Sequence, residues 1–389
     1  MSPVRVAMVS SRYSPYVGGV ETHVHEVARR IAAKGLDLTV LTTDLTGELP
    51  PLEHEGPLTV RRYPARPRRS DLYISPALVR HIREGNYDLG HVQGVNNFLP
   101  PMALMAAQRS GVPTVATFHG GGHASRVRKM VRGMQWQALR PLLRRTKGLV
   151  AVCHFEVATW AGRLGLEPER IRLIRNGAEP LPVGVSPPEV SGSPLVCTVG
   201  RLDRLKGHHR LIEAMPALLD LAPDAHLAVI GQGNFERQLR RLTARLQVEQ
   251  AVTFTSFEAT QREALGALVR SSDVVALMSD YEAHPVAVME AIALGRKVVV
   301  ADTSGLSELA AEGLAVAVPV DAPPRALAQV LADVAHRPDP VAPNLPTWDD
   351  CVDQLLGLYG EILSGASTES AHAEPIHNFR STGDGASGR

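Results

Sequence analysis

The feature that most constrains this chain is an alternation of short apolar runs with amphipathic stretches that runs once, breaks, and starts again. In the first half the apolar runs are Val4–Ser11, Leu38–Thr43, Leu58–Tyr63, Leu89–Gln93, Thr114–Phe118, Gly148–Cys153 and Ile171–Arg175. Each has the length of a strand, and helical stretches such as Gly19–Lys34 and Arg126–Arg145 lie between them. Pro180, Pro182, Pro187, Pro188 and Pro194, with Gly184 and Gly192, then interrupt the pattern. It resumes with Leu195–Gly200, His226–Ile230, Val252–Thr255, Val274–Met278, Val298–Ala301 and Val316–Val320. Continuous apolar strands separated by helices are buried on both faces, as in parallel sheets. Two such halves in 389 residues predict an α/β chain of two doubly wound, Rossmann-like domains facing across a cleft. The expected divisions are 1–178 for the first domain, 179–194 for a linker and 195–345 for the second domain. Residues 346–363 then form a last helix beginning at Trp348, and 364–389 a disordered tail without aliphatic runs. In this architecture ligands bind where the strands end, so the chemistry is expected at the carboxyl edges.

Composition removes several function classes. No run of about 18 apolar residues occurs, which excludes a conventional membrane-spanning helix. Met1 to Arg5 enters a strand directly, without the basic and apolar regions of a signal peptide. Cys153, Cys197 and Cys351 have no paired spacing and read as buried thiols, so a cytoplasmic setting is expected. The net charge of +1 conceals an asymmetry: residues 1–176 hold 25 Lys and Arg against 13 Asp and Glu. Between Asp88 and Glu156 there is no carboxylate at all. A basic half attracts phosphates, an acidic acceptor or an anionic membrane surface, and no motif here points to nucleic acid. The stretch from Arg126 to Lys147 interleaves basic residues with Met130, Met134, Trp136, Leu139, Leu142 and Leu143. It reads either as a helix lying peripherally on a membrane or as one whose apolar stripe packs on the sheet, its arginines solvated.

The most specific residues follow the strands of the second half. Asp280-Tyr281-Glu282-Ala283-His284-Pro285 leads into the helical run Val286-Ala287-Val288-Met289-Glu290. Pro285 suits the first position of that helix, and the amides of Val286 and Ala287 would face an anion. Glu282 before the helix and Glu290 inside it then flank a bound phosphate. A carboxylate beside phosphates is useful when it has hydroxyls to hold, and sugars supply them. The strand Leu195–Gly200 ends in Arg201-Leu202-Asp203-Arg204-Leu205-Lys206, whose Arg201 and Lys206 can neutralise a pyrophosphate. Gly231-Gln232-Gly233 after the next strand allows close backbone approach. In the first half, Gly18-Gly19-Val20-Glu21 opens a helix and offers a second anion site. His119 ends the fifth strand, where a histidine is more often structural than reactive.

Together these residues resemble glycosyltransferase family 4, whose members have the two-domain GT-B fold. The resemblance covers about residues 4–363 and is closest at Val199–Gly207, Tyr281–Ala301 and the Gly18-Gly19-Val20-Glu21 turn. It implies that Arg201 and Lys206 bind the pyrophosphate of a nucleotide-sugar donor, with a UDP-sugar favoured. It implies that Glu282 holds donor-sugar hydroxyls and Glu290 the ribose, that Gly19 lies against the phosphate, and that His119 approaches the transferring sugar. Gly18, Gly231, His284, Val286 and Ala287 complete the expected donor site. Retention of configuration, front-face attack with the donor phosphate oxygen taking the acceptor proton, and a last helix crossing back onto the first domain are further implications. No Asp-x-Asp occurs, so no metal is expected and no cofactor beyond the donor. The acceptor, whether a small molecule, a glycan or a lipid-linked molecule, is left open. The chain departs from the family where Ala283-His284-Pro285 replaces Gly-Phe-Gly, and where Glu179 stands in place of the usual Asp. An epimerase or phosphorylase of the same fold, or a nucleotide-binding subunit without turnover, are the competing readings.

Overall fold

The structure, a computed structural model, is described over residues 3–67, 73–120, 136–184 and 190–365. In the first domain the order is β1 (Arg5–Ser10), α1 (Gly19–Ala33), β2 (Asp37–Asp44), β3 (Leu52–Glu55), β4 (Leu58–Pro64), α2 (Pro76–Glu84), β5 (Leu89–Gln93) and α3 (Leu99–Arg109). It continues with β6 (Thr114–Thr117), α4 over 136–144, β7 (Gly148–Ala151), α5 (His154–Leu164) and β8 (Ile171–Leu173). The second domain contains β9 (Leu195–Val199), α6 (His208–Leu221), β10 (His226–Ile230), α7 (Glu236–Arg245), β11 (Val252–Thr255) and α8 (Arg262–Ser271). β12 (Val274–Leu277), α9 (Val286–Ala293), β13 (Lys297–Ala301), α10 (Ser304–Ala311), β14 (Val316–Val318) and α11 (Pro324–Ala335) follow. The last element is α12 (Trp348–Leu363).

The strands form two sheets, ordered β3-β4-β2-β1-β5-β6-β7-β8 and β11-β10-β9-β12-β13-β14. Their pairings are parallel except that of β3, which runs antiparallel to β4. β3 was not legible as a strand because Leu52-Glu53-His54-Glu55 is largely charged. Such residues suit an edge, where charge blocks pairing with a further strand. In both sheets the winding reverses beside the first strand of the domain, between β1 and β5 and between β9 and β12. The reversal opens a crevice at the carboxyl edge.

The pleat sends alternate residues of the first sheet to two separate cores. Val6 and Met8 of β1 join one, with Val24, Val27 and Ile31 of α1. Ala7 and Val9 join the other, with Leu78, Leu104 and Trp160 from α2, α3 and α5. The α1 face is completed by α12, which crosses back from the second domain. Trp348, Cys351, Val352, Leu355, Leu358 and Tyr359 recur at helical spacing and are all buried there. Thr347 and Asp350 form a capping box at its start. Arg172 pairs with Glu361 at 2.8 Å, Lys34 pairs with Asp353, and the Tyr359 hydroxyl lies 2.5 Å from Nδ1 of His91. Glu179 accepts two hydrogen bonds from Arg30 at 2.8 and 3.0 Å, which fastens the start of the linker to α1.

Within α4 the packed reading holds. Trp136 meets Trp160 edge-on at 4.7 Å and Leu143 is buried, while Arg140 and Arg144 donate to the carbonyl of Leu164 at the end of α5. Residues 126–135 of the expected basic helix, and 366–389 of the expected tail, lie outside the described residues. Among the described residues no helix is long and apolar enough to cross a membrane.

Because Leu355 is 1% exposed within the face that α12 closes, Leu355→Ala is expected to cost about 2–5 kcal/mol of stability. The denaturant midpoint measures it, and an unchanged midpoint would show that the first domain does not rely on the crossing helix.

Candidate active site

The two switch points supply the site. At the end of β9 the chain enters a 3-10 turn, Arg204–Lys206, capped by the Asp203 side chain on the Lys206 amide. This turn brings the Lys206 ammonium to Glu282, which follows β12 across the reversal, with Nζ 2.5 Å from Oε1. Ser279 donates to the same oxygen at 2.9 Å. Lys206 and Glu282 are therefore brought together as a single unit, with side chains 24% and 11% exposed. Arg201 is left outside it. Its side chain is 63% exposed and its nearest carboxylate is Asp203, at 3.5 Å.

α9 begins at Val286, one residue later than expected. Pro285 is extended, with ψ of 114°, and serves as the cap. The amides of Val286 and Ala287 fall in the first turn, which has no intrahelical acceptors to offer them. Glu290, a turn further, is 7% exposed and pairs with Arg262 at the start of α8. Burial pushes its carboxyl up, and Arg262 pulls it back. The first turn of α9 is thus flanked by two acid–base pairs. Sequence reasoning missed Arg262, which opens α8, the helix that follows β11.

On the facing domain, β5 ends at Gln93, and His119 lies two residues past the end of β6. His119 Nε2 lies 2.7 Å from the Gln93 amide oxygen, so that nitrogen carries the proton. The amide nitrogen of Gln93 lies 3.3 Å from His91 Nε2, whose other ring nitrogen meets Tyr359. A buried chain from the crossing helix therefore fixes the His119 tautomer and leaves Nδ1 as an acceptor. Burial holds His119 well below the usual histidine range, and the neighbouring His23 and His91 add to the effect. His23 packs edge-on against it with ring centroids 4.5 Å apart.

Asn176, at the start of the linker region, ties the halves together. Its oxygen meets His23 Nδ1 at 2.9 Å and its nitrogen donates to the His284 carbonyl at 3.0 Å. Neither ring nitrogen of His284, nor Nε2 of His23, has a partner among the described residues, although both rings are buried. The glycines separate into two kinds. A side chain at Gly231 would strike the Gly200 carbonyl, and its φ is +146°, so the fold itself requires glycine there. At Gly19 a Cβ would meet nothing within 4 Å, and the fold makes no demand for glycine. Gly18 lies against Glu21, whose carboxyl burial pushes up in spite of Arg12 and Arg201.

The family model described as Glycosyltransferase Family 4 matches residues 17–180, and that described as Glycosyl transferases group 1 matches residues 186–342. The chain belongs to glycosyltransferase family 4. Over 94% of its length this family 4 enzyme is 28% identical to D-inositol 3-phosphate glycosyltransferase of Acidothermus cellulolyticus, 92% of which is covered. Its fold is shared with sucrose-phosphate synthase from Thermosynechococcus elongatus, at a TM-score of 0.74 and 21% identity over 93% of this chain and 100% of that one. Anabaena HepE, solved in complex with UDP, superposes at 0.66 with 19% identity over 92% and 100%. The two-domain architecture is accordingly GT-B, and the enzyme is a glycosyltransferase.

The buried histidines make a pH prediction. Burial lowers His23 and His208 to about 4, His91 and His284 to about 3, and His119 well below 6.5. Above about pH 6.5 neither the folded nor the unfolded chain protonates them. As pH falls below that, the unfolded chain takes up protons the fold refuses, at up to about 1.4 kcal/mol per pH unit for each. Glu156, pushed up to about 7 by burial, acts in the opposite sense, as do Glu21 and Glu290. The histidines outnumber them, so the urea midpoint is expected to fall between pH 7 and pH 5. A flat or rising midpoint would contradict neutral burial of this cluster.

Proposed function

We propose that this glycosyltransferase takes its sugar from a nucleoside diphosphate sugar, with UDP favoured, and transfers it to an acceptor hydroxyl with retention and without a divalent ion. The observation that carries this reading is the first turn of α9, whose amides lie between the Lys206–Glu282 and Arg262–Glu290 pairs. A diphosphate placed there meets helix amides and the Lys206 ammonium at once. Arg201, exposed beside it, swings in as a second cation. Glu282 then faces the sugar hydroxyls and Glu290 the ribose, each carboxylate already held by its own cation. UDP is favoured by the resemblance and by the complex formed by Anabaena HepE. A cavity of about 320 Å3 at the ends of β10 and β11, lined by Gly231, Gln232, Phe254, Thr255 and Ser256, offers room for the base.

The chemistry follows from charge. Cleavage of the anomeric bond leaves a negative diphosphate and an oxocarbenium-like sugar, and stabilising the leaving group is the main electrostatic task. Lys206, Arg201 and the α9 amides perform it in a protected cleft. A phosphate oxygen of the departing diphosphate takes the acceptor proton, which fits a site whose histidines are held neutral. His119 Nδ1 accepts a hydrogen bond from a hydroxyl of the transferring sugar. His284, standing where the family has Phe, supplies ring nitrogens without protein partners, and a donor hydroxyl would satisfy one of them. The basic first half of the chain favours an anionic acceptor, in keeping with the phosphorylated polyol named for the Acidothermus relative.

Turnover of a panel of UDP-, GDP- and ADP-sugars, with and without excess EDTA, tests the proposal. Activity is expected with a UDP-sugar and is expected to survive EDTA. A strict manganese requirement, or activity confined to another nucleotide, rejects the corresponding part.

Gly19 provides the second test. Since a methyl group there meets no protein atom, Gly19→Ala is expected to leave the thermal midpoint unchanged. It is expected to lower kcat/KM for the donor at least about tenfold by occupying the place of a phosphate. Wild-type kinetics would remove Gly19 from the donor site.

A further inference from the structure

One short helix, α10, bridges the two domains beside the site. The first turn of α10 holds the backbone of Glu282 from both sides. The Glu282 amide donates to Ser304 Oγ at 2.9 Å, and the Gly305 amide donates to the Glu282 carbonyl at 2.9 Å. One turn along, Glu308 reaches into the other domain. Its Oε2 accepts from the His154 amide at 3.0 Å and its Oε1 from the Phe155 amide, the first two amides of α5. Cys153, the residue preceding α5, makes no side-chain cap. The cap of this helix is therefore supplied by a different domain. Glu312, just past the end of α10, binds Arg175 through both its oxygens.

The same seam continues on either side. Phe155 meets Tyr281 edge-on at 5.6 Å, and Ala283 packs with Val152 and Cys153. Within α5 the buried carboxylate of Glu156 accepts from the amides of Val152 and Gly120, and Gly120 adjoins His119. A connected path thus runs from Glu282 through α10 and Glu308 to α5, Glu156 and the strand end that carries His119. Separation of the domains would return Glu308 and the α5 amides to water.

We propose that Glu308 is a positioning residue: by capping α5 across the cleft it latches the domains together and sets the placement of Glu282 relative to His119. The latch concerns the domain seam and rests on the proposed function only in that Glu282 and His119 are taken to meet the donor. A carboxylate on helix amides contributes little in isolation but is lost entirely on opening, so its removal shifts the balance toward separated domains.

The test uses the full chain with Glu308→Ala and Glu308→Gln. In Glu308→Ala, hydrogen exchange at residues 152–157 is expected to rise and small-angle scattering to show a larger radius of gyration, with the thermal midpoint little changed. Both readouts need no donor, so they stand or fall separately from the donor assignment. With the donor selected by the panel above, kcat is expected to fall about 3- to 30-fold. Binding of UDP alone, measured by calorimetry, is expected to stay within about twofold, because most of the groups proposed to hold the nucleotide, Lys206, Arg201, Glu290 and the α9 amides, lie on the second domain and only the Gly18-Gly19 turn reaches it from the first. Glu308→Gln retains an amide-accepting oxygen and is expected to recover part of the loss. Unchanged exchange and compactness, or a loss of UDP affinity equal to the loss of kcat, would overturn the proposal.

Discussion

A parallel sheet has two apolar faces, and the first domain closes one of them with a helix borrowed from the end of the chain. Trp348, Val352, Leu355 and Tyr359 of α12 complete the face that α1 covers only in part. A chain that has already built the second domain must therefore return to the first, which holds the two carboxyl edges opposite one another. The site depends on that constraint twice. It depends once through the cleft the return creates, and again through Tyr359, whose hydroxyl begins the hydrogen-bond chain that orients His119.

Charge in the site is organised by pairing. Lys206 and Arg262 each hold a carboxylate on one side of the first turn of α9. Carboxylates beside the proposed phosphate site would repel a diphosphate if they stood alone. Paired, they act as fixed hydrogen-bond acceptors whose charge is largely offset, and the lysine still has donors to give. Such an arrangement is preorganised: the polar groups are already oriented before any charge develops.

The departure from the family pattern at Ala283-His284-Pro285 has a structural reading. Ala283 packs on Val152 and Cys153 of the first domain, and the His284 carbonyl is held by Asn176. Pro285 caps α9 without an amide of its own. The loop after Glu282 is thus as much a domain seam as a ligand loop. Ala283 and the His284 carbonyl serve the contact with the other domain, while the His284 ring keeps its two nitrogens unmatched.

Much of the architecture was legible in the sequence because period and punctuation are local. The strands and the last helix follow from apolar runs and prolines that any window reveals, whereas the return of that helix onto the first domain was implied only by the family resemblance. β3 was not legible, since an edge strand needs charge and shows no apolar run. Glu282, Lys206 and Glu290 could be named because a strand end marks a carboxyl edge, but their pairings could not, since 76 residues separate Lys206 from Glu282 and 28 separate Arg262 from Glu290. Glu308 illustrates the limit best: in the chain it is an ordinary helical glutamate, and only the docked domains bring α5 against it. Local sequence determined the elements and the residue types offered at their ends. Tertiary structure alone decided which of those ends meet, because burial and pairing are properties of the assembled cleft and of no single segment.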